Sequence, residues 1–595
     1  MPRKITTHGL IEGYYLKHNG QIFEVYEAVP YAQPPVADLR FKSPLPLTPW
    51  DDIKNCGKGQ RKHCVDFRFN LNKNQGLEDC LYMDIILPAE QDQSTNSSAL
   101  PILIWIQGIS YQIHSKDEYS FASIAENFAA YSIIFISINY RLGPLGFLSG
   151  GHRDLPGNFG LDDQIEALRW IKNNAKNFHG DPDNIVLAGE SCGASSASLL
   201  SVSPKTFGLF SAAVLRSGSG LAPWAVRSTS TENNSARFID YLGCTYNHTL
   251  GMSHIIDCLQ QLNITKLFEG WLYIAQTSSK VESHLLGHTY FTPTIDLYRI
   301  DESIIPCEPT VLIQKNARIP IMIGVTNTES AFLLKNNPEG NRLSSNDEWN
   351  LNQVISPNLY ANYRHIQKAI EFHYMSNNQY FDETDHLLTK IVTDENFKAP
   401  AAREAMFYAS KNLTVYAYSF QYVSDSLNSH STKAHHQVAH GDDSMYLFHA
   451  TKFLQWSESD RNVAKRLSHQ IVNFLHVRST GEPQALPYTL LHKVATSITG
   501  PSSDEQIDFY TDVSYFWYET IPTIEMLNLE PQYRVLLQPC TMCEYPYKIP
   551  FYIILILLIF VTICSLMPFI RRQRIRHNSK YTLNNGMPPP SDENL

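Results

Sequence analysis

The sequence predicts an α/β protein whose ligand site lies at the carboxyl ends of its strands, and three observations carry that expectation. Short apolar runs rich in β-branched residues recur and end in Gly or turn residues. A segment of helical periodicity lies between two of them, and a Gly-x-Ser-x-Gly pentapeptide follows the second of that pair directly. In chain order, Ile102–Gln107, Ile133–Asn139, Ile185–Gly189, Ala212–Leu215, Ile319–Val325 and Thr414–Phe420 read as buried strands. Between the second and third, Leu161, Ile165, Leu168 and Ile171 recur at helical spacing within Gly160–Asn177. Strand, helix and strand in that order make the unit from which such sheets are built.

Composition narrows the class. A chain of 595 residues that is 43% hydrophobic and 18% charged is neither disordered nor a coiled coil. With 48 basic against 58 acidic side chains, the net charge of −10 argues against a nucleic-acid partner. Ile549–Ile570 is a run of 22 positions without a charged side chain. At about 1.5 Å per residue it is long enough to cross a hydrocarbon core of about 30 Å, so it reads as a transmembrane helix. Arg571, Arg572, Arg574 and Arg576 follow it at once, against Lys548 on the other side. That asymmetry predicts a single-pass type I arrangement: domain 1–525 outside, stalk 526–548, span 549–570, and a cytoplasmic tail 571–595. Met1–Gly20 contains no apolar run of signal-peptide length. Two explanations stay open: the numbering starts downstream of the true N-terminus, or the chain is tail-anchored with its bulk in the cytosol. The flanking charges favour the first, as do sequons at Asn96, Asn233, Asn247, Asn263 and Asn412, which are candidate glycosylation sites.

The pentapeptide is Gly189-Glu190-Ser191-Cys192-Gly193, followed by the small residues Ala194-Ser195-Ser196-Ala197. A strand, a sharp turn and a small-residue helix make a nucleophile elbow, in which the glycines let strand and helix backbones approach closely. The helix start then aims its positive end at a reacting oxygen. Spacing suited to a metal is absent from the Cys and His positions, and no phosphate-cradling Gly loop occurs, so neither a metal nor a cofactor is expected.

From Gly9 to about Trp517 the chain resembles the type-B carboxylesterase/cholinesterase family of α/β-hydrolases. The resemblance rests on Val29-Pro30-Tyr31-Ala32-Gln33-Pro34-Pro35 with Arg40-Phe41, on Glu78-Asp79-Cys80-Leu81-Tyr82, and on Asn139-Tyr140-Arg141-Leu142-Gly143-Pro144-Leu145-Gly146-Phe147-Leu148. It continues through Pro156-Gly157-Asn158-Phe159-Gly160-Leu161-Asp162-Asp163-Gln164 and Gly180-Asp181-Pro182 to the elbow. It implies an α/β-hydrolase fold with a large mixed, mostly parallel central sheet flanked by helices. It also implies a triad in the order Ser, acid, His. Ser191 is the nucleophile, Glu329 in Gly324-Val325-Thr326-Asn327-Thr328-Glu329-Ser330 the acid, and His440 in Ala439-His440-Gly441-Asp442-Asp443 the base. Ser330 stands where a Gly is usual. His435 and His436 match no role and read as solvated loop residues.

The resemblance breaks at the oxyanion hole. The family carries a Gly-rich run after the Ile102–Gln107 strand, whereas this chain reads Gln107-Gly108-Ile109-Ser110-Tyr111. Gly108 is kept, but the next two donor positions are Ile109 and Ser110, and a β-branched Ile disfavours the φ > 0 geometry open to Gly. The Cys192 N–H is the remaining expected donor. The resemblance also implies loop disulfides Cys64–Cys80 and Cys244–Cys258, which suit an oxidising compartment. A third family disulfide is lost, with Ser514 in place of a Cys. Val65–Asp79, where the family's choline-binding Trp belongs, contains no Trp or Tyr, so the chain is not a simple cholinesterase. Two readings follow. The first is a membrane-anchored serine hydrolase of carboxylic esters, slowed by its atypical hole, with a small-molecule ester as substrate. The second is a catalytically weak or inactive adhesion or receptor protein whose ectodomain binds a protein partner.

Overall fold

The structure is a computed structural model that describes residues 1–68, 76–89, 99–113, 119–244, 251–278, 289–299, 302–331, 360–375, 384–424, 438–448, 456–482, 485–502 and 504–527. The chain divides into two units, Met1–Leu537 and Gln538–Leu595, and all described residues belong to the first. The expected span 549–570 therefore lies outside the described residues, as do Cys540, Cys543, Cys564, His435 and His436. Among the described residues, no helix is long and apolar enough to cross a membrane.

Fourteen described strands form two sheets. A small one joins β1 (Arg3–Ile5), β2 (Leu10–Glu12) and β5 (Lys54–Asn55). The large one holds β3 (Tyr14–His18), β4 (Gln21–Pro30), β6 (Tyr82–Pro88), β7 (Leu100–Ile106), β8 (Ile134–Ile138), β9 (Gly180–Glu190), β10 (Ala212–Arg216), β11 (Ile321–Thr326), β12 (Val415–Phe420), β13 (Val494–Ile498) and β14 (Asp504–Asp508). Its order is β14-β13-β12-β11-β10-β9-β7-β8-β6-β4-β3. Pairing is parallel from β13 through β8 and antiparallel at both edges, which is the mixed, mostly parallel sheet expected.

All six expected strands form, within a residue or two except at the start of β9. Every residue of β7, β8, β10 and β11 is buried, as strands covered by helices on both faces must be. The edge strands β3, β4, β6, β13 and β14 were not among the expected ones. In β4 the apolar run is broken by Glu24 and Glu27, both buried, which accept hydrogen bonds from Tyr26 and Tyr14. Partners from the same and the neighbouring strand hide the polarity that obscured the strand.

Helices cover the sheet. α1 (Phe121–Asn127) is capped by Ser120, whose side chain accepts from the Ala122 N–H. α2 (Gly143–Phe147) is buried throughout. α3 (Phe159–Asn174) and the short 3₁₀ turn Ala175–Phe178 replace the expected helix Gly160–Asn177. α3 is tied to the segment after β8 by a buried bidentate pair, with Arg141 Nε and Nη2 donating to Asp163 at 2.8 and 2.7 Å. The last described helix, Ile521–Leu527, runs across the expected 525/526 domain boundary.

Both disulfides implied by the resemblance form, Cys64–Cys80 and Cys244–Cys258, while Cys56, Cys192 and Cys307 are buried and belong to neither. Of the sequons, Asn233, Asn263 and Asn412 have exposed asparagines, and Asn96 and Asn247 lie outside the described residues. Asn263 also caps the helix Ile264–Thr277, its Oδ1 accepting from the Lys266 N–H at 2.9 Å.

Candidate active site

β9 ends at Glu190, and α4 (Cys192–Val202) starts two residues on, so Ser191 alone makes the turn between them. Its backbone stands at φ 56°, ψ −123°, a conformation that costs an L-residue roughly 1–3 kcal/mol and persists only when its surroundings impose it. They do so here. The Ser191 N–H donates to the Arg216 carbonyl at the end of β10, 2.9 Å away. A Cβ on Gly189 would sit 2.4 Å from the Gly193 carbonyl carbon, and one on Gly193 would sit 2.1 Å from the Ile106 oxygen. Neither glycine can carry a side chain without pushing α4 off the sheet.

Glu329 begins a short 3₁₀ turn after β11 and is wholly buried. Its Oε1 accepts from the Thr326 N–H and from Ser217 Oγ, both at 2.7 Å. Its Oε2 meets His440 Nδ1 at 2.7 Å, and the His440 N–H donates to the Glu329 carbonyl at 3.0 Å. The carboxylate is thus oriented by two donors on one oxygen and faces the imidazole with the other. Ser330, the departure from the usual Gly, is buried and donates its N–H to Thr393 Oγ1.

The histidine turn closes onto the elbow. Ser444 Oγ donates to Glu190, the residue before Ser191, and a Cβ on Gly441 would lie 2.9 Å from Glu190 Oε1. The three residues implied by the resemblance therefore come from the carboxyl ends of β9 and β11 and from the turn after residue 437. Strand ends are where such sheets bind ligands.

Burial lowers the basicity of the His440 imidazole, but the Glu329 hydrogen bond and charge outweigh it. With Glu190 and Asp443 they hold its pKa at about 9. Burial raises the carboxyls of both Glu190 and Asp443, reinforced at Glu190 by the charge of Asp443 and at Asp443 by that of Glu329.

The oxyanion loop differs from expectation in where its strain lies. Ile109 is not left-handed; Ser110 (φ 57°) and Tyr111 (φ 56°) are. A β-branched side chain resists that conformation, so the turn is carried one residue further along. Gly108 is kept for room, since a Cβ there would meet Tyr140 Oη at 2.3 Å. The donors are also redirected. The Ile109 N–H donates to the Ile113 carbonyl at 2.9 Å, and the Ser110 and Tyr111 N–H groups face the Cys192 sulfur. Burial pushes that thiol up to about 12, so it stays protonated. The Cys192 N–H, at the first position of α4, has no intrahelical partner and keeps its expected availability.

Residues that sequence reasoning missed are Ser217, which steadies Glu329, and Arg216, which meets Asp443 in a buried pair at 2.6 Å. Ser217 left no signal, because its partner is 112 positions away. Arg216 left one: a charge ending an otherwise apolar strand. Glu404 was also missed. It is fully buried, accepts from Ser198 Oγ at 2.6 Å and from Ser219 Oγ, and is held by burial at about 7.

Comparison with known proteins identifies the family. The pattern of the Carboxylesterase family matches residues 2–500. A Bombus ignitus carboxylic ester hydrolase is 32% identical over 466 residues, covering 74% of this chain and 79% of that protein. Esterase FE4 of Myzus persicae is 28% identical over 494 residues, covering 79% of this chain and 84% of its own length. Neuroligin-3 of Mus musculus is 29% identical over 469 residues, covering 71% of this chain and 54% of its own. The chain belongs to the carboxylesterase family, and carboxylic ester hydrolysis is the activity that its membership and its relatives support.

Proposed function

We propose that the chain hydrolyses carboxylic esters through Ser191, His440 and Glu329, slowly, from a membrane anchor that holds the catalytic domain outside the cytoplasm. The observation that carries the reading is the 2.7 Å contact between Glu329 Oε2 and His440 Nδ1, with Glu329 itself oriented by Thr326 and Ser217. A proton on Nδ1 leaves Nε2 as the acceptor for the Ser191 hydroxyl proton. Ser191 Oγ then attacks the ester carbonyl, and the imidazolium returns its proton to the leaving alcohol. Water repeats the sequence on the acyl-enzyme. The slowness follows from the loop, where the Ile109 N–H is taken by Ile113 and the Cys192 N–H remains for the oxyanion.

A pH dependence follows from the imidazole. Only the neutral ring accepts the Ser191 proton, and the ring is charged below about 9. The rate of labelling by a fluorophosphonate should therefore climb about tenfold per pH unit from 6 to 8 and level off near 9. A rate independent of pH over that interval would mean that His440 is not the base.

The second reading, a protein-binding ectodomain with little or no turnover, is favoured by the same Ile109–Ile113 hydrogen bond and by the likeness to neuroligin-3. Fluorophosphonate labelling of the folded full chain separates the two readings. Orientation has its own test. Expressed behind a functional N-terminal signal sequence, the chain should gain mobility on a gel after glycosidase treatment, Asn263 and Asn412 being exposed acceptors. No shift, with free thiols at Cys64, Cys80, Cys244 and Cys258, would favour a cytosolic, tail-anchored enzyme.

A further inference from the structure

We infer that Arg216 is a positioning residue that ties the turn bearing His440 to the strand ends bearing Ser191. The inference rests on the triad reading for its link to catalysis and on the geometry below for the tie itself.

Arg216 and Glu190 are register partners at the carboxyl ends of the parallel strands β10 and β9. Each receives one residue of the histidine turn. Glu190 accepts from Ser444 Oγ, and Arg216 Nη2 meets Asp443 Oδ2 at 2.6 Å. The main chain of Arg216 meanwhile holds the nucleophile, its carbonyl accepting the Ser191 N–H at 2.9 Å. One residue therefore grips the elbow through its backbone and the base-bearing turn through its side chain. The arrangement is a two-point clamp, because Asp443 and Ser444 are adjacent and their anchors are adjacent across the sheet.

Arg216 and Asp443 are 1% and 0% exposed as side chains. A buried ion pair contributes little net stability, since desolvation offsets most of the attraction, but breaking one leaves an uncompensated charge. Its retention here is better explained by geometry and by charge. The groups that face His440 are Glu329 after β11, Glu190 on β9 and Asp443 on its own turn. Tyr418 of β12 lies behind Asp443, its hydroxyl 3.4 Å from Oδ2, and the Arg216 guanidinium stands 5.8 Å from the Tyr418 ring. Three carboxylates surround one imidazole, and Arg216 sets a permanent positive charge against them.

The clamp has a signature that loss of packing cannot imitate: opposite charge changes at its two ends should move the base in opposite directions. Asp443→Asn leaves Arg216 charged and unpaired, so the His440 pKa should fall by about one unit. Arg216→Gln removes the positive charge set against the Glu329 carboxylate at the imidazole, so the pKa should rise by about one unit. Arg216→Gln with Asp443→Asn removes both charges and should return the pKa close to its original value. Arg216→Lys keeps the charge without the two-armed guanidinium, so it should keep the pKa while labelling slows several-fold.

The test is an NMR pH titration of the full chain in detergent micelles, carrying ¹³C-labelled histidine, with His440 assigned through His440→Gln. Fluorophosphonate labelling rates of the same samples are measured in parallel. Opposite shifts in the two single variants, with labelling at least ~10-fold slower in Arg216→Gln, would establish the positioning role. Equal pKa values in all variants would overturn it, and so would an unchanged labelling rate in Arg216→Gln. Should Arg216→Gln fail to fold, Asp443→Asn and Arg216→Lys still decide: an unmoved pKa in the first, or an unslowed rate in the second, overturns the proposal. Opposite shifts without labelling in any sample, wild type included, would sink the triad reading and leave only the structural tie.

Discussion

Ser191→Ala should abolish fluorophosphonate labelling of the full chain and lower ester turnover by up to roughly 10⁶-fold in kcat, the scale on which triad members fail as a unit. His440→Ala should do nearly as much, since the hydroxyl is a weak nucleophile without its base. Glu329→Gln is the more diagnostic change. The Thr326 N–H and Ser217 Oγ both donate to one oxygen of Glu329, so a glutamine there keeps its carbonyl oxygen towards them. Its NH₂ group must then face His440 Nδ1, which becomes an acceptor and shifts the ring proton to Nε2. A base in that tautomer cannot take the Ser191 proton, and the expected loss is about 10⁴-fold. Measured kcat for a small activated ester such as p-nitrophenyl acetate, with melting curves to verify folding, checks all three. A folded wild type that neither labels nor turns over would move the reading to a protein-binding ectodomain.

Ile109→Gly with Ser110→Gly should raise kcat for the same ester by at least ~10²-fold, the scale of one recovered oxyanion donor, and change KM much less. Two effects combine. Glycine at position 110 removes the cost of a left-handed L-residue, and glycine at 109 lets the loop abandon the Ile109–Ile113 hydrogen bond and turn its N–H towards the substrate. Ser110→Gly alone should raise Tm with little gain in rate, because the Ile109 N–H keeps its partner. The double variant loosens the loop, so rates are compared only at temperatures well below its Tm. An ordinary esterase rate in the wild type, unchanged by the glycines, would mean that the donors come from elsewhere in the chain.

Much of this was legible in the sequence for identifiable physical reasons. Strands buried on both faces must be continuously apolar, so β7 to β11 announced themselves, and the elbow was readable because only glycine at 189 and 193 allows α4 to approach β9. Ser191, Glu329 and His440 were assigned by their motifs, and the geometry brings Glu329 against His440. The edge strands were obscured by acids such as Glu24 and Glu27, whose partners are tyrosines of the same and the neighbouring strand. The oxyanion loop was legible in part. The sequence showed that β-branched Ile109 could not replace a glycine at positive φ, but not that the turn would answer by making Ser110 and Tyr111 left-handed.

What the sequence determined by itself was local or compositional: the α/β class, the sharp turn at Ser191, the missing glycines after Gly108, and an apolar run at 549–570 long enough to span a bilayer. Such features depend on neighbouring residues, whose preferences hold wherever the segment ends up. Only the tertiary structure decided which distant groups share a charge environment. Arg216 and Asp443 are 227 positions apart in number, and Ser217 and Glu329 are 112. No periodicity encodes those meetings. They exist because adjacent strand ends and one turn converge in a buried site, where the cost of an unpaired charge or polar group forces each to have a partner.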